Sequence, residues 1–254
     1  MARLAIFGPS LIGKPKAGLA KGAASRHARH MSKSPKPVAK RLSPAERARV
    51  EELFSRFLSL ADDPRTELDY SSAYTLVTAV ALSAQATDVS VNKATTKLFA
   101  VADTPQAMLA LGEEGLIPLI SSIGLFRTKA KNLIAAARMM IDQHGGEVPL
   151  NRAALQALPG VGRKTASVVL NELGIEPAIA VDTHVFRVAH RLRLSAGKIP
   201  DLVEADLMSV VPQPYLTRAH HWLILHGRYT CVARKPKCED CAVADLCPSR
   251  GVAA

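Results

Sequence analysis

The stretch from Leu155 to Asp182, LQALPGVGRKTASVVLNELGIEPAIAVD, constrains this chain more than any other. Leu155 and Leu158, apolar residues at helical spacing, lead into Pro159-Gly160-Val161-Gly162. A second helical segment then sets Ala166, Val169 and Leu170 on one face. Two glycines two residues apart let the backbone turn sharply and come close to a ligand. A helix beginning just after Gly162 leaves its first N–H groups pointing out of the turn, where they suit a phosphate oxygen. Lys164 falls in the first turn of that helix, and Asp182 follows eighteen residues later.

All four cysteines lie between Cys231 and Cys247, spaced C-x6-C-x2-C-x5-C with Cys238 and Cys241 between. That is not the scatter of a secreted disulfide scaffold; it reads as one metal site in a reducing compartment. Four thiolates enclose either one tetrahedral ion, with zinc the competitor, or one cubane cluster, and their number does not decide. A net charge of +11 and a pI near 9.8 call for a polyanionic partner. Residues 1–45 hold ten Lys or Arg and no acid, leaving 23 basic against 22 acidic residues in the rest. The body is therefore nearly neutral, and any polyanion-binding face on it must be a local patch.

At 254 residues and 48% hydrophobic, the chain suits one large domain or two small ones with a real core. Aromatic content of 4% with abundant Ala and Leu favours helix over sheet. No apolar run of about 18 residues is present, so no membrane span is expected. Residues 1–42 lack sustained periodicity and are expected to be disordered. They read as a cationic nucleic-acid-binding arm, as a transit peptide, or as a dispensable solvated tail.

Ser43-Pro44-Ala45-Glu46 is a capping box with Pro at the first helical position, and Val50, Leu53, Phe54, Phe57 and Leu58 follow as an apolar stripe. Further helices are expected near 72–83, 88–100, 104–111, 115–122 and 127–144. The segment 76–82 is apolar all round and should be a buried central helix. Pro118 would fall in a first turn, where it is tolerated. Gly145-Gly146 should end the long helix. Helices near 183–194, 201–210 and 215–227 follow, and Leu223-Ile224-Leu225 fits a buried helix better than a strand.

The 155–182 stretch resembles the helix-hairpin-helix motif at every apolar, Gly and Ala position. Gly174, Pro177 and Asp182 match the Gly-Pro-Asp loop of the helix-hairpin-helix DNA glycosylases, and the Lys164–Asp182 pair is similar to the bifunctional endonuclease III branch. The resemblance covers about residues 45–250. It implies an all-α fold of two helical lobes with the active-site cleft between them. One is a six-helix barrel, residues 66–176, that includes the hairpin at 155–170. The other unites 45–65 with 177–254 and carries a 4Fe–4S cluster on Cys231, Cys238, Cys241 and Cys247. Residues 1–44 remain as the basic arm.

The activity implied is that of a base-excision-repair DNA glycosylase with apurinic/apyrimidinic lyase activity. It would act as a monomer on double-stranded DNA carrying oxidised pyrimidines or abasic sites. A bacterial, nucleoid-associated cytoplasmic location is expected, with the transit reading of residues 1–44 as the alternative. Lys164 would be the nucleophile, and a nucleophilic amine must be neutral although free lysine has a pKa of about 10.4. Desolvation and a helix N-terminus both lower that value. Asp182 would stabilise charge on the sugar or help deprotonate Lys164; it also reads as a simple helix N-cap.

Further DNA contacts are carried by single residues. Gln85, in Ser83-Ala84-Gln85-Ala86-Thr87-Asp88, matches the group that enters the gap left by a flipped nucleotide. Leu125, after Ile123-Gly124, matches the wedge that props the strands apart, although it also reads as an ordinary core leucine. Gly160, Gly162 and Arg163 would meet the backbone at the hairpin. His184 is a pocket or strand contact, or a structural helix residue. Arg234, Lys235 and Lys237, in a loop braced by the cysteines, would face phosphates. Two other classes compete. A monofunctional adenine-mismatch glycosylase is disfavoured by Lys164 and by a chain that stops seven residues after Cys247. A non-catalytic DNA-binding or redox-signalling module would leave the Lys164–Asp182 pair without a purpose.

Overall fold

The computed structural model describes residues 42–251, so the readings made of residues 1–41 fall outside the described residues. Those residues build ten α-helices and two short 3-10 turns, with no strand among the described residues. Helix α1, Pro44–Leu60, starts at the expected capping box: the Glu46 N–H donates to the Ser43 hydroxyl at 3.2 Å, and the Ser43 N–H donates to the Glu46 carboxylate at 2.9 Å. Helix α2, Ala73–Ser83, is buried from Tyr74 to Val80 and again at Leu82, which makes it the central helix its composition called for.

Helices α3, Asp88–Phe99, and α5, Phe126–His144, sit where the pattern placed them, with Gly145 ending α5. Between them α4, Pro105–Ile120, is broken at Gly112 (φ 64°, ψ 176°), a conformation that only glycine adopts readily. The two expected helices are the two halves of α4. The second half begins directly after Gly112 rather than at 115, so Pro118 lies inside the helix and not in its first turn. That corrects the sequence expectation.

Helices α6, Arg152–Ala157, and α7, Arg163–Glu172, form the hairpin. Helix α8, Thr183–Arg191, ends before the expected 194: Arg193 turns to φ 52°, and the Leu194 N–H closes onto the Ala189 carbonyl at 2.8 Å. Helices α9, Pro200–Val210, and α10, Leu216–Tyr229, complete the set, with Leu223-Ile224-Leu225 helical within α10.

Buried apolar side chains gather in two cores. The first runs from Leu68 to Leu170 and includes Leu76, Leu82, Leu116, Ile120 and Met140. The second joins Val50–Phe57 of α1 to residues 179–243. At about 1.5–3 kcal/mol for each fully buried large aliphatic, each core supplies the driving force for its own lobe. The lobes meet at a buried polar contact. The His221 ring nitrogen on α10 lies 3.0 Å from a Glu172 carboxylate oxygen on α7, close but off a good hydrogen-bonding line, and the Tyr70 hydroxyl donates to the other oxygen at 2.9 Å. Burial alone would raise the Glu172 carboxyl; His221 and Tyr70 outweigh it and hold the group below its ordinary value.

Candidate functional site

The hairpin turn is built as its sequence implies. Leu155, Leu158 and Val161 are buried beneath it, and the Val161 N–H donates to the Leu158 carbonyl at 3.0 Å. Gly160 has φ 80°, and a β-carbon there would meet the Asn132 β-carbon of α5 at 3.0 Å. The left-handed backbone strains any other residue here, and a side chain would also press on Asn132. Gly162 differs from expectation: its φ of −84° suits any residue, and a β-carbon there would enter open space. Its contribution is a bare approach to the start of α7. No side chain caps α7, so its first N–H groups are left for a ligand.

Lys164 and Asp182 line one cleft of about 500 Å3, together with Gln85, His184, His220 and Arg228. That volume is ordinary for a small-ligand pocket. Lys164, Thr165 and Val168 present one face of α7 to it. Lys164 is exposed as a residue at the edge of the cleft.

Asp182 is half-buried at the start of α8 and accepts from the Val185 N–H at 2.8 Å, so the N-cap expected of it is formed. Its second carboxylate oxygen remains for the cleft. His184 follows where α8 crosses α10: a β-carbon on Gly227 would lie 2.9 Å from the His184 β-carbon. That close packing, with Arg187 Nη2 3.3 Å from His184 Nδ1 and 2.8 Å from the Gly227 carbonyl, fixes the imidazole.

Two residues of the cleft, His220 and Arg228, are not among those the sequence singles out. His220 is buried with its Nδ1 lacking a hydrogen-bond partner, and burial, with His221 and then Lys164 acting the same way, pushes its imidazole down to about 3. It is a neutral group beneath the lysine. The only hint was a pair of adjacent histidines inside an apolar helix. Arg228 reaches Asp88 at 2.5 Å and also Glu67, tying α10 to the other lobe across the cleft. These partners are 140 and 161 residues apart in sequence.

The remaining expected DNA contacts are dispersed. Leu125 lies outside the cleft lining and is 64% exposed, which removes the core-leucine reading. Arg163 points away into ion pairs with Asp201 at 2.9 Å and Glu204 at 2.8 Å on α9, so a DNA contact would have to compete with two carboxylates. Arg234, Lys235 and Lys237 are exposed in the cysteine loop, which is closed by the Lys237 N–H donating to the Thr230 carbonyl at 3.0 Å.

All four cysteines border one cavity, together with Arg191 and His226. The four thiols line this cavity from the residues that the C-x6-C-x2-C-x5-C spacing brings together. Arg191, nine-tenths buried, donates to the Cys231 sulfur at 3.3 Å and to the carbonyls of Val232 at 2.8 Å and Ala233 at 2.7 Å. Arg49 donates to the Leu246 carbonyl at 3.1 Å, and Arg56 pairs with Asp245 at 2.6 Å. A buried guanidinium facing sulfur suits an anionic cluster held by four thiolates.

Residues 78–213 match the family model of the HhH-GPD superfamily base excision DNA repair protein, and residues 231–247 match the iron-sulfur binding domain of endonuclease III. Fold, cleft and cysteine-lined cavity thus define a base-excision-repair DNA glycosylase of the helix-hairpin-helix type. Endonuclease III of Escherichia coli (strain K12) is 56% identical over 201 residues, 79% of this chain and 95% of that protein. Endonuclease III of Haemophilus influenzae is 57% identical over 196 residues, 77% of this chain and 93% of that one. A trapped endonuclease III–DNA covalent intermediate, an estranged-adenine complex, superposes with a TM-score of 0.74 at 40% identity, covering 82% of this chain and 97% of that one. The chain belongs to the endonuclease III family, an enzyme with DNA glycosylase and AP lyase activity that carries one 4Fe–4S cluster. Among the described residues no helix is long and apolar enough to cross a membrane. The relatives cited are bacterial, and the transit-peptide reading of residues 1–44 finds no support.

Proposed function

We propose that Lys164 and Asp182 carry the chemistry and that the substrates are oxidised pyrimidines in duplex DNA, met in the bacterial cytoplasm. The observation that carries this reading is that the two side chains enter one cleft from different lobes. The neutral Lys164 amine attacks C1′ of a flipped nucleotide, and the glycosidic bond breaks with its electron pair leaving on the base. Ring opening gives an imine between Lys164 and C1′. The protonated imine makes the C2′ hydrogen acidic, and its loss expels the 3′ phosphate. Asp182 stabilises positive charge developing on the sugar, where a fixed carboxylate acts without reorganisation. The 4Fe–4S cluster, when bound, acts as a structural brace; its four thiolates would hold Arg234, Lys235 and Lys237 toward phosphates. Gly160 and Gly162 admit a backbone phosphate to the bare start of α7. Gln85 fills the vacated stack and Leu125 parts the strands. His184 meets the strand at the rim.

The test is the substitution Asp182→Asn, assayed on duplexes carrying single lesions. Base removal should slow by about 10² or more, with binding little changed. Cleavage of a preformed abasic site should suffer less, because no glycosidic bond has to break. Equal loss in both reactions together with loss of binding would make Asp182 a structural cap only.

A further inference from the structure

Lys129 belongs to none of the machinery described so far. It lies one turn into α5, and its backbone N–H donates to the Leu125 carbonyl at 3.0 Å. Its ammonium crosses to the central helix and donates to the Leu82 carbonyl at 2.9 Å and the Ala84 carbonyl at 2.7 Å. Those are among the last carbonyls of α2, which have no intrahelical partner, and a cation at a helix C-terminus is electrostatically favoured. Gln85 follows immediately. Gln85 and Leu125 share a second property: both have φ 58°, left-handed backbone that residues other than glycine rarely adopt. Both are exposed. Such backbone persists only where its surroundings over-determine it. Here one side chain reaches from the first turn of the helix that displays Leu125 to both carbonyls on the approach to Gln85. Burial pushes the Lys129 ammonium below its ordinary value, as expected for a group held against carbonyls rather than in solvent.

We propose that Lys129 is a positioning residue that locks the Gln85 turn to the start of α5, so that Gln85 and Leu125 enter the duplex as one rigid probe. This rests on the reading of those two residues as the strand-probing pair. Lysine suits the task because a compact ammonium serves two carbonyls from a single point, whereas a guanidinium is a planar fork.

The test compares Lys129→Met, which keeps the stem and removes the donors, with Lys129→Arg. Each is assayed in single-turnover base removal on two substrates, a thymine glycol in a full duplex and the same lesion in an unpaired bubble. Lys129→Met should slow the duplex reaction at least about tenfold while leaving the bubble reaction nearly unchanged. Lys129→Arg should recover part of the loss. The double variant Lys129→Met with Gln85→Ala should be no slower than the slower single variant, because the lysine acts through the glutamine. Equal losses on duplex and bubble, or losses that multiply in the double variant, would reduce Lys129 to a fold-stabilising contact. If Gln85→Ala and Leu125→Ala leave duplex excision intact, the probe reading fails and this proposal falls with it. If those two variants lose activity while Lys129→Met does not, only this proposal falls. Thermal melting confirms folding, and should Lys129→Met not fold, the same comparison is read on Lys129→Gln.

Discussion

The barrel lobe draws its whole core from residues 68–170, whereas the cluster lobe joins part of α1 to residues 179–243 across the entire barrel. Their chemistry differs as well. The barrel core is almost wholly aliphatic, built around the buried α2. The cluster lobe has an aromatic knot, in which the Phe54 ring stacks on Tyr215 at 5.9 Å and Phe57 on Trp222 at 6.5 Å. Beyond that knot lies a cysteine segment whose only regular element is the 3-10 turn Ala244–Leu246. Arginines from α1 and α8 hold this segment by donating to its carbonyls, its sulfur and Asp245. One lobe is closed by packing, the other by packing together with, on the proposed reading, cluster ligation by its four cysteines. Lys164, the proposed nucleophile, sits on the packed lobe, and the basic loop with Arg234, Lys235 and Lys237 sits on the other one. Chemistry at Lys164 and grip on phosphates should therefore be separable.

The largest effect should follow loss of a proposed cluster ligand. Cys241→Ala is expected to strip hydrogen-exchange protection from residues 231–251 and to weaken duplex binding, while amides of α2 and α7 stay protected. Loss of protection spreading equally through both lobes would show that the barrel also depends on the metal. A smaller effect is expected from a packing defect in the barrel. Leu116 is fully buried in α4 and lies outside the cleft lining, so Leu116→Ala should cost about 2–5 kcal/mol in denaturant unfolding. Iron content per folded chain should not change. Iron loss in that variant would couple the lobes more tightly than their separate cores imply.

Features that rest on short spacings were readable before any coordinates. The capping box at Ser43, the apolar run 76–82, the Pro159–Gly162 turn and the four cysteines each declare themselves within a few residues, because local geometry sets them. The break inside α4 was legible for the same reason, although the position of Pro118 was not. What escaped the reading is non-local. Nothing near Arg228 names Asp88 or Glu67 as its partners, and nothing near Arg163 shows that Asp201 and Glu204 occupy it. Arg191 gave no sign that it would be buried against a sulfur. Backbone conformation was hidden too: Gln85 and Leu125 are not glycines, so their left-handed geometry follows from the packing around them and not from their identity. The residue that lines the cleft beneath Lys164, His220, was masked by the apolar helix that contains it.

The most direct measurement is the site of covalent attachment. Reaction with a lesion-bearing duplex in the presence of borohydride reduces the imine to a stable amine, and digestion followed by mass spectrometry locates it. The expected adduct lies on the peptide containing Lys164, and Lys164→Ala should bind the duplex yet form no adduct. An adduct on any other lysine, or trapping that persists in Lys164→Ala, would place the nucleophile elsewhere and contradict the assignment of the cleft.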